Sequence, residues 1–162
     1  MGDKKLGFEL VHKSIDTKGV RSPLGSIMLL GYYTLLTGFA PSVLADRNVP
    51  FADEIIENAL KDYKESAFFL YFDGRNRRVK GDIKGSSDAF KLASSKATVE
   101  WGMELTRMCD YELGLNCATA MEWSEAAVYF NKLAEDNYWS KAFFLYFKAA
   151  CLEQCDQREE AL

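Results

Sequence analysis

Ten residues constrain this chain more than any other feature: SAFFLYFDGR at Ser66–Arg75 returns as KAFFLYFKAA at Lys141–Ala150, an offset of 75 residues. Self-similarity at a fixed spacing marks a repeat architecture, in which one supersecondary unit cannot bury its apolar face alone and is completed by its neighbour. The offset accommodates two helix–turn–helix units of about 34 residues with a few inserted, so it predicts a middle copy. The stretch RMCDYELGLNCATAMEWSEAAVYFNKLAED, Arg107–Asp136, supplies it. There a helix over Leu105–Ala120 leads through a turn at Met121 and Glu122 into a second helix carrying Ala126, Phe130 and Leu133 on one stripe.

Aligned, the three units put small residues, Gly74, Gly114 and Ala149, at one place in their first helices. Their second helices carry Ser86, Ala126 and Ala161, then Phe90 and Phe130, then Ala93 and Leu133. Small residues let the two helices of a unit meet closely while large aromatics wedge against the next unit, which is the tetratricopeptide pattern. Gly81 reads as a helix C-cap and Asp82 as the following N-cap. Ser140 and Thr98 read as caps of later first helices. Ahead of the repeats the periodicity predicts helices near Lys4–Asp16, Pro23–Leu36 and Phe51–Lys64. The last turns Ile55, Ile56, Ala59, Leu60 and Tyr63 inward, and Ser22 reads as the cap of the second. No strand-length alternating run appears, so no βαβ unit offers a nucleotide site.

The expected fold is therefore all-α: a tetratricopeptide-like right-handed α-solenoid of antiparallel helix pairs. Residues 1–64 form three N-terminal helices, and residues 65–162 hold repeat units over about 66–100, 105–136 and 141–162, the last cut short. A missing final helix would leave Phe143, Phe144, Phe147 and Leu152 uncovered and open to self-association.

Other classes are argued against on composition. A formal net charge of −4 speaks against a nucleic-acid binder, whose phosphate contacts need a basic surplus. Cys109, Cys117, Cys151 and Cys155 lack close Cys-x-x-Cys spacing and read as reduced, buried thiols rather than metal ligands or disulfides. The lone histidine, His12, reads as a surface or rim residue. Lys84-Gly85-Ser86 reverses the order of a phosphate loop, and the carboxylates at Asp53, Glu54, Glu57, Glu159 and Glu160 read as solvated faces. No catalytic, metal or cofactor residues are expected. The charged N-terminus MGDKKLGFEL carries no secretory leader, so the cytoplasm is the expected compartment. Residues 22–45 carry no charge, but glycines, polar residues and Pro41 dilute them, so a buried helix is favoured over a membrane span.

The local exception to the acidic balance is Arg75, Arg77, Arg78, Lys80 and Lys84. It reads either as a solvated ridge pairing with Asp73, Asp82 and Asp88, or as a dock for an acidic peptide or lipid headgroup. Tyr71, Tyr111 and Tyr146 occupy equivalent places in the three first helices, which line the groove of such arrays. With Arg75 and Arg78 they would form an aromatic and cationic strip for an extended peptide, unless each Tyr simply packs between helices.

The ordered words PLGSIMLLGYYTLL, ESAFFLYFDGRNRRVKGDIKGSSDAF, VEWGMELTRMCDYELG and EWSEAAVYFNKLAEDNYWSKAFFLYFKAACL give the chain a closer likeness. It resembles the tetratricopeptide repeat protein 39 family, which includes the fungal inclusion-body clearance proteins. The most specific matches lie around Arg75–Asp82, at Glu100-Trp101 and at Trp139-Ser140-Lys141-Ala142. The resemblance implies a non-enzymatic scaffold or adaptor binding a protein or extended peptide, and an internal piece or short relative of longer proteins. It also implies an intracellular setting, cytoplasmic or peripheral to an organelle membrane or lipid droplet. The competing expectation is a membrane-associated organelle protein anchored by residues 22–45.

Overall fold

The computed structural model describes residues 3–97 and 102–155. Thr98, Glu100-Trp101, Glu159, Glu160 and the second helix of the third unit, with Ala161, lie outside them. Every element among the described residues is helical.

The repeats fold as their turn residues dictate. Helix α5 (Ala67–Val79) ends where Gly81 turns to φ +83°, a conformation that costs glycine nothing. There the Gly81 and Asp82 amides return to the carbonyls of Arg78 and Arg77. Asp82 then caps α6 (Ile83–Lys96) by accepting from the Gly85 amide at 2.9 Å. The middle unit copies this closure with Met121 in place of glycine, at φ 62°, between α7 (Gly102–Thr119) and α8 (Trp123–Glu135). Its Met121 and Glu122 amides donate to Ala118 and Cys117. Ser140 caps α9 (Lys141–Gln154) by accepting from the Phe143 amide.

Helices α5 to α9 pack in succession, each on the next. Within the pairs the small-residue contact is exact to a side chain. A Cβ on Gly74 would sit 2.7 Å from the Phe90 ring, and one on Gly114 would sit 3.0 Å from the Phe130 ring. Both rings are fully buried against bare backbone. The buried side chains form two clusters that divide along α7. Leu105, Cys109 and Leu113 belong with the core that also holds Leu30, Ile56, Phe69 and Phe90, whereas Cys117 joins Phe130, Leu133 and Phe144 of α8 and α9.

The N-terminal segment departs from expectation in three places. Ser22 is not a cap: Arg21 precedes the helix, and the Ser22 hydroxyl instead donates to the Ile15 carbonyl at 3.0 Å, tying α2 (Ser22–Leu30) to the end of α1 (Lys4–Asp16). The second helix is not uniform, because Gly31–Leu35 form a π-helical stretch before α3 (Leu36–Phe39). The third begins ten residues earlier than read, as α4 (Pro41–Asp62), with Pro41 in its first turn and Pro50 inside it. Pro50 is exposed, so water can serve the Asp46 carbonyl that loses its helical donor. The face of α4 expected inward does bury Ile56 and Ala59, but Tyr63, just past its end, is about half exposed.

At the other end, Phe144 and Leu152 are buried rather than uncovered, because α9 lays that face on α8. Phe143 and Phe147 are partly covered, and the large apolar residues α9 leaves open are Leu145 and Tyr146. Among the described residues no helix is long and apolar enough to cross a membrane.

Candidate functional site

The first helices of two units, α5 and α7, run alongside the α3 turn and leave a groove of about 480 Å³ between them. Arg75, Arg78 and Val79 line it from α5, and Tyr111, Glu112 and Leu115 from α7. Thr34, Leu35, Gly38, Phe39 and Pro41 form the opposite wall.

Its floor is a buried charge network. The Glu112 side chain is 1% exposed and accepts from both arginines, one carboxylate oxygen bonded to Arg75 and the other to Arg78. The Tyr71 hydroxyl donates to the same oxygen as Arg75, at 2.9 Å. Arg78 also reaches the Asn116 side-chain oxygen at 3.2 Å, while the Asn116 amide donates to Ser86 and Ser87 of α6 at 2.8 and 3.0 Å. The network thus bolts α5, α6 and α7 together. A charge this deep is tolerated only when paired and fully hydrogen-bonded, and two guanidiniums with a phenol meet that demand. The electrostatic consequences follow. Burial, reinforced by the Glu112 charge, raises the Tyr71 pKa so that its phenol stays a donor. Arg75 is pulled down by burial but held above its ordinary value by Glu112 and Tyr71. Tyr111 is raised by burial and then by Glu112.

Of the five strip residues read from sequence, Arg75, Arg78 and Tyr111 line the groove. Tyr71 lies beneath it, packed between helices with its ring near Phe72 and Phe90. Tyr146 is 71% exposed on α9, against Phe147 and outside the groove lining. The basic cluster divides in the same way. Arg77 pairs with Asp73 and Asp82 and Lys80 with Asp53, as a solvated ridge would, while Arg75 and Arg78 turn inward. Sequence reading missed Glu112 and Asn116. The available signal was a break in the repeat: where the outer units carry Phe72 and Phe147, the middle one carries Glu112.

The family model for Iml2/Tetratricopeptide repeat protein 39 matches residues 1–162, the whole chain. The chain belongs to that family. No solved structure matches it. The all-α array of helix pairs is what a tetratricopeptide family member should show, and arrays of this kind act in general as protein-interaction scaffolds.

The ionised groups of the groove are engaged with one another, Glu112 taking Arg75 and Arg78 together with the Tyr71 hydroxyl. His12 is exposed, beside a second surface depression between α1 and α4. Cys117, Glu122 and Glu125 bring a thiol and two carboxylates within 4.8 Å, the one such grouping among the described residues. Burial and those carboxylates hold the Cys117 thiol up at about 11. All four cysteines are free thiols.

Proposed function

We propose that this Iml2/Tetratricopeptide repeat protein 39 chain is a non-enzymatic adaptor that docks a protein segment in the groove between α3, α5 and α7. The observation carrying this reading is the groove itself: it lies on the first helices of successive units, and its walls are apolar over an immobilised polar floor. Preorganisation matters because a floor already fixed by the Glu112 network loses little further freedom when a ligand arrives. Arg75, Arg78, Tyr111 and Leu115 are the contact residues from the repeats, and Leu35 and Phe39 those from the facing wall.

The test is position-specific photo-cross-linking. A photoreactive phenylalanine at Phe39 or Leu115 should trap the same partner, and a probe at the exposed Val128 of α8 should not. Leu115→Arg should abolish both adducts. Equal trapping from Val128, or adducts untouched by Leu115→Arg, would remove the groove from consideration.

A second reading, peripheral docking on an organelle membrane or lipid droplet, draws on residues 22–45, which leave Leu24, Met28, Phe39 and Val43 exposed. Co-sedimentation with anionic vesicles that is lost in Leu24→Glu/Met28→Glu supports it. No co-sedimentation removes it.

A further inference from the structure

The depression between α1 and α4 has a volume of about 780 Å³, within the range of small-molecule cavities. Its two walls share one design. Helix α1 offers Lys4 and, one turn on, Phe8, while α4 offers Arg47 and, one turn on, Phe51. Tyr32 and Tyr33 come from the π-helical stretch between α2 and α3, a distortion that helices often keep where they serve a site.

The four rings make a continuous floor. Phe8 meets Tyr32 edge-on at 4.9 Å between ring centres, Tyr32 meets Tyr33 at 5.4 Å, and Tyr33 stacks on Phe51 at 5.5 Å. Every apolar side chain lining the depression is aromatic. Phe51 remains exposed, which leaves aromatic surface for a ligand to cover.

The cations at one end of this floor have no acid to answer them. Lys4 donates to the Tyr32 hydroxyl at 2.8 Å, with its Nζ 5.0 Å from the centre of that ring. Arg47 acts on the same phenol, which is held below its ordinary pKa first by the Lys4 hydrogen bond and then by the Lys4 and Arg47 charges. Among the described residues neither cation has a carboxylate within ion-pair distance. Two like charges drawn to one neutral oxygen repel each other until an anion joins them. The lining carboxylates, Glu9 and Asp16, sit on α1 about 7 and 18 Å beyond Lys4 by the rise of the helix, with Lys13 between them.

We propose that this depression binds a small planar aromatic molecule bearing one carboxylate, its ring system laid on Phe8 and Phe51 and its carboxylate taken by Lys4 and Arg47. The inference stands apart from the groove between α5 and α7. A floor built only of rings favours a planar partner, which can stack in offset, over a flexible acyl chain. Glu9, one turn beyond Lys5 in the same lining, disfavours a second negative charge and so a phosphate.

The experiment titrates the whole chain into 1-pyrenecarboxylate and into its neutral counterpart, 1-pyrenecarboxamide, and follows the fluorescence anisotropy of each. The carboxylate should bind about tenfold or more tightly than the amide, the difference expected of one charge-assisted pair. Lys4→Gln/Arg47→Gln should bring the carboxylate down to the level of the amide, and because both positions are exposed the circular dichroism should stay native. Phe51→Ala should weaken both probes alike. Equal binding of the two probes, an unchanged affinity in the double variant, or no binding of either would overturn the proposal. So would displacement of the pyrene by dodecanoate at lower concentration than by unlabelled 2-naphthoate, or tighter binding of the corresponding pyrene phosphate. Binding that survives the double variant but is lost in Leu115→Arg would place the probe in the other groove and overturn it as well.

Discussion

Replacing Glu112 with Gln removes one charge and almost no volume, so it isolates the electrostatic role of the residue. The side chain is 1% exposed and receives Tyr71, Arg75 and Arg78. Gln accepts through one oxygen only and turns an NH2 group toward a guanidinium, leaving two buried cations without a counter-charge. Removing one partner of a buried ion pair costs about 3–5 kcal/mol. For a chain of this size each kcal/mol lowers the melting temperature by about 2–4 °C, so Glu112→Gln should melt about 6–20 °C below the parent. Arg78→Met leaves Glu112 still paired with Arg75 and Tyr71, and should cost only about 1–2 kcal/mol. Because the residues share one network, the double variant should be less destabilised than the sum of the two, by about 1 kcal/mol or more. Urea unfolding followed by circular dichroism gives all three values. A Glu112→Gln protein within about 1 kcal/mol of the parent, or an Arg78→Met protein that falls just as far, would refute the view that this carboxylate holds the three helices together.

Two further outcomes can be checked with the same material. Met121 occupies at φ 62° the place that Gly81 holds at φ +83°, so in urea unfolding Met121→Gly should stabilise the fold by about 0.5–1 kcal/mol, while Gly81→Ala destabilises it. Cys109 and Cys117 have folded-state pKa values raised by burial, to about 12 and about 11 from an ordinary 9.0. The folded chain therefore holds these protons more tightly than the unfolded one. Their contribution to stability is complete below pH 9.0 and is lost as pH climbs from there toward the folded values, which alkaline denaturation should display. At neutral pH a thiol reagent should modify the partly exposed Cys155 well before the buried three.

The repeats were legible because their turns are chemical. Gly81, Asp82 and Ser140 can do few other things, and the spacing of Gly74 from Phe90, like that of Gly114 from Phe130, records a contact that only small-against-large satisfies. The N-terminal segment was less legible for a matching reason. Pro50 signals a helix end locally, yet α4 runs through it because the residue is on the solvent side. The π-helical stretch at Gly31–Leu35 leaves no mark in periodicity. In the groove, Arg75, Arg78 and Tyr111 could be placed from the unit alignment, but their partner could not. Glu112 comes from another unit, 37 residues beyond Arg75, and such pairing is written in tertiary packing alone.

Because α7 lines one apolar cluster with Leu113 and the other with Cys117, it works as a party wall, with Glu112 and Asn116 set in the masonry between. Whatever seats itself beside Tyr111 and Leu115 presses on that wall. Any roll of α7 that made room for it would be felt in the chamber of Phe130 and Phe144 as well as in that of Phe90, so the two halves of the array are geared rather than merely adjacent.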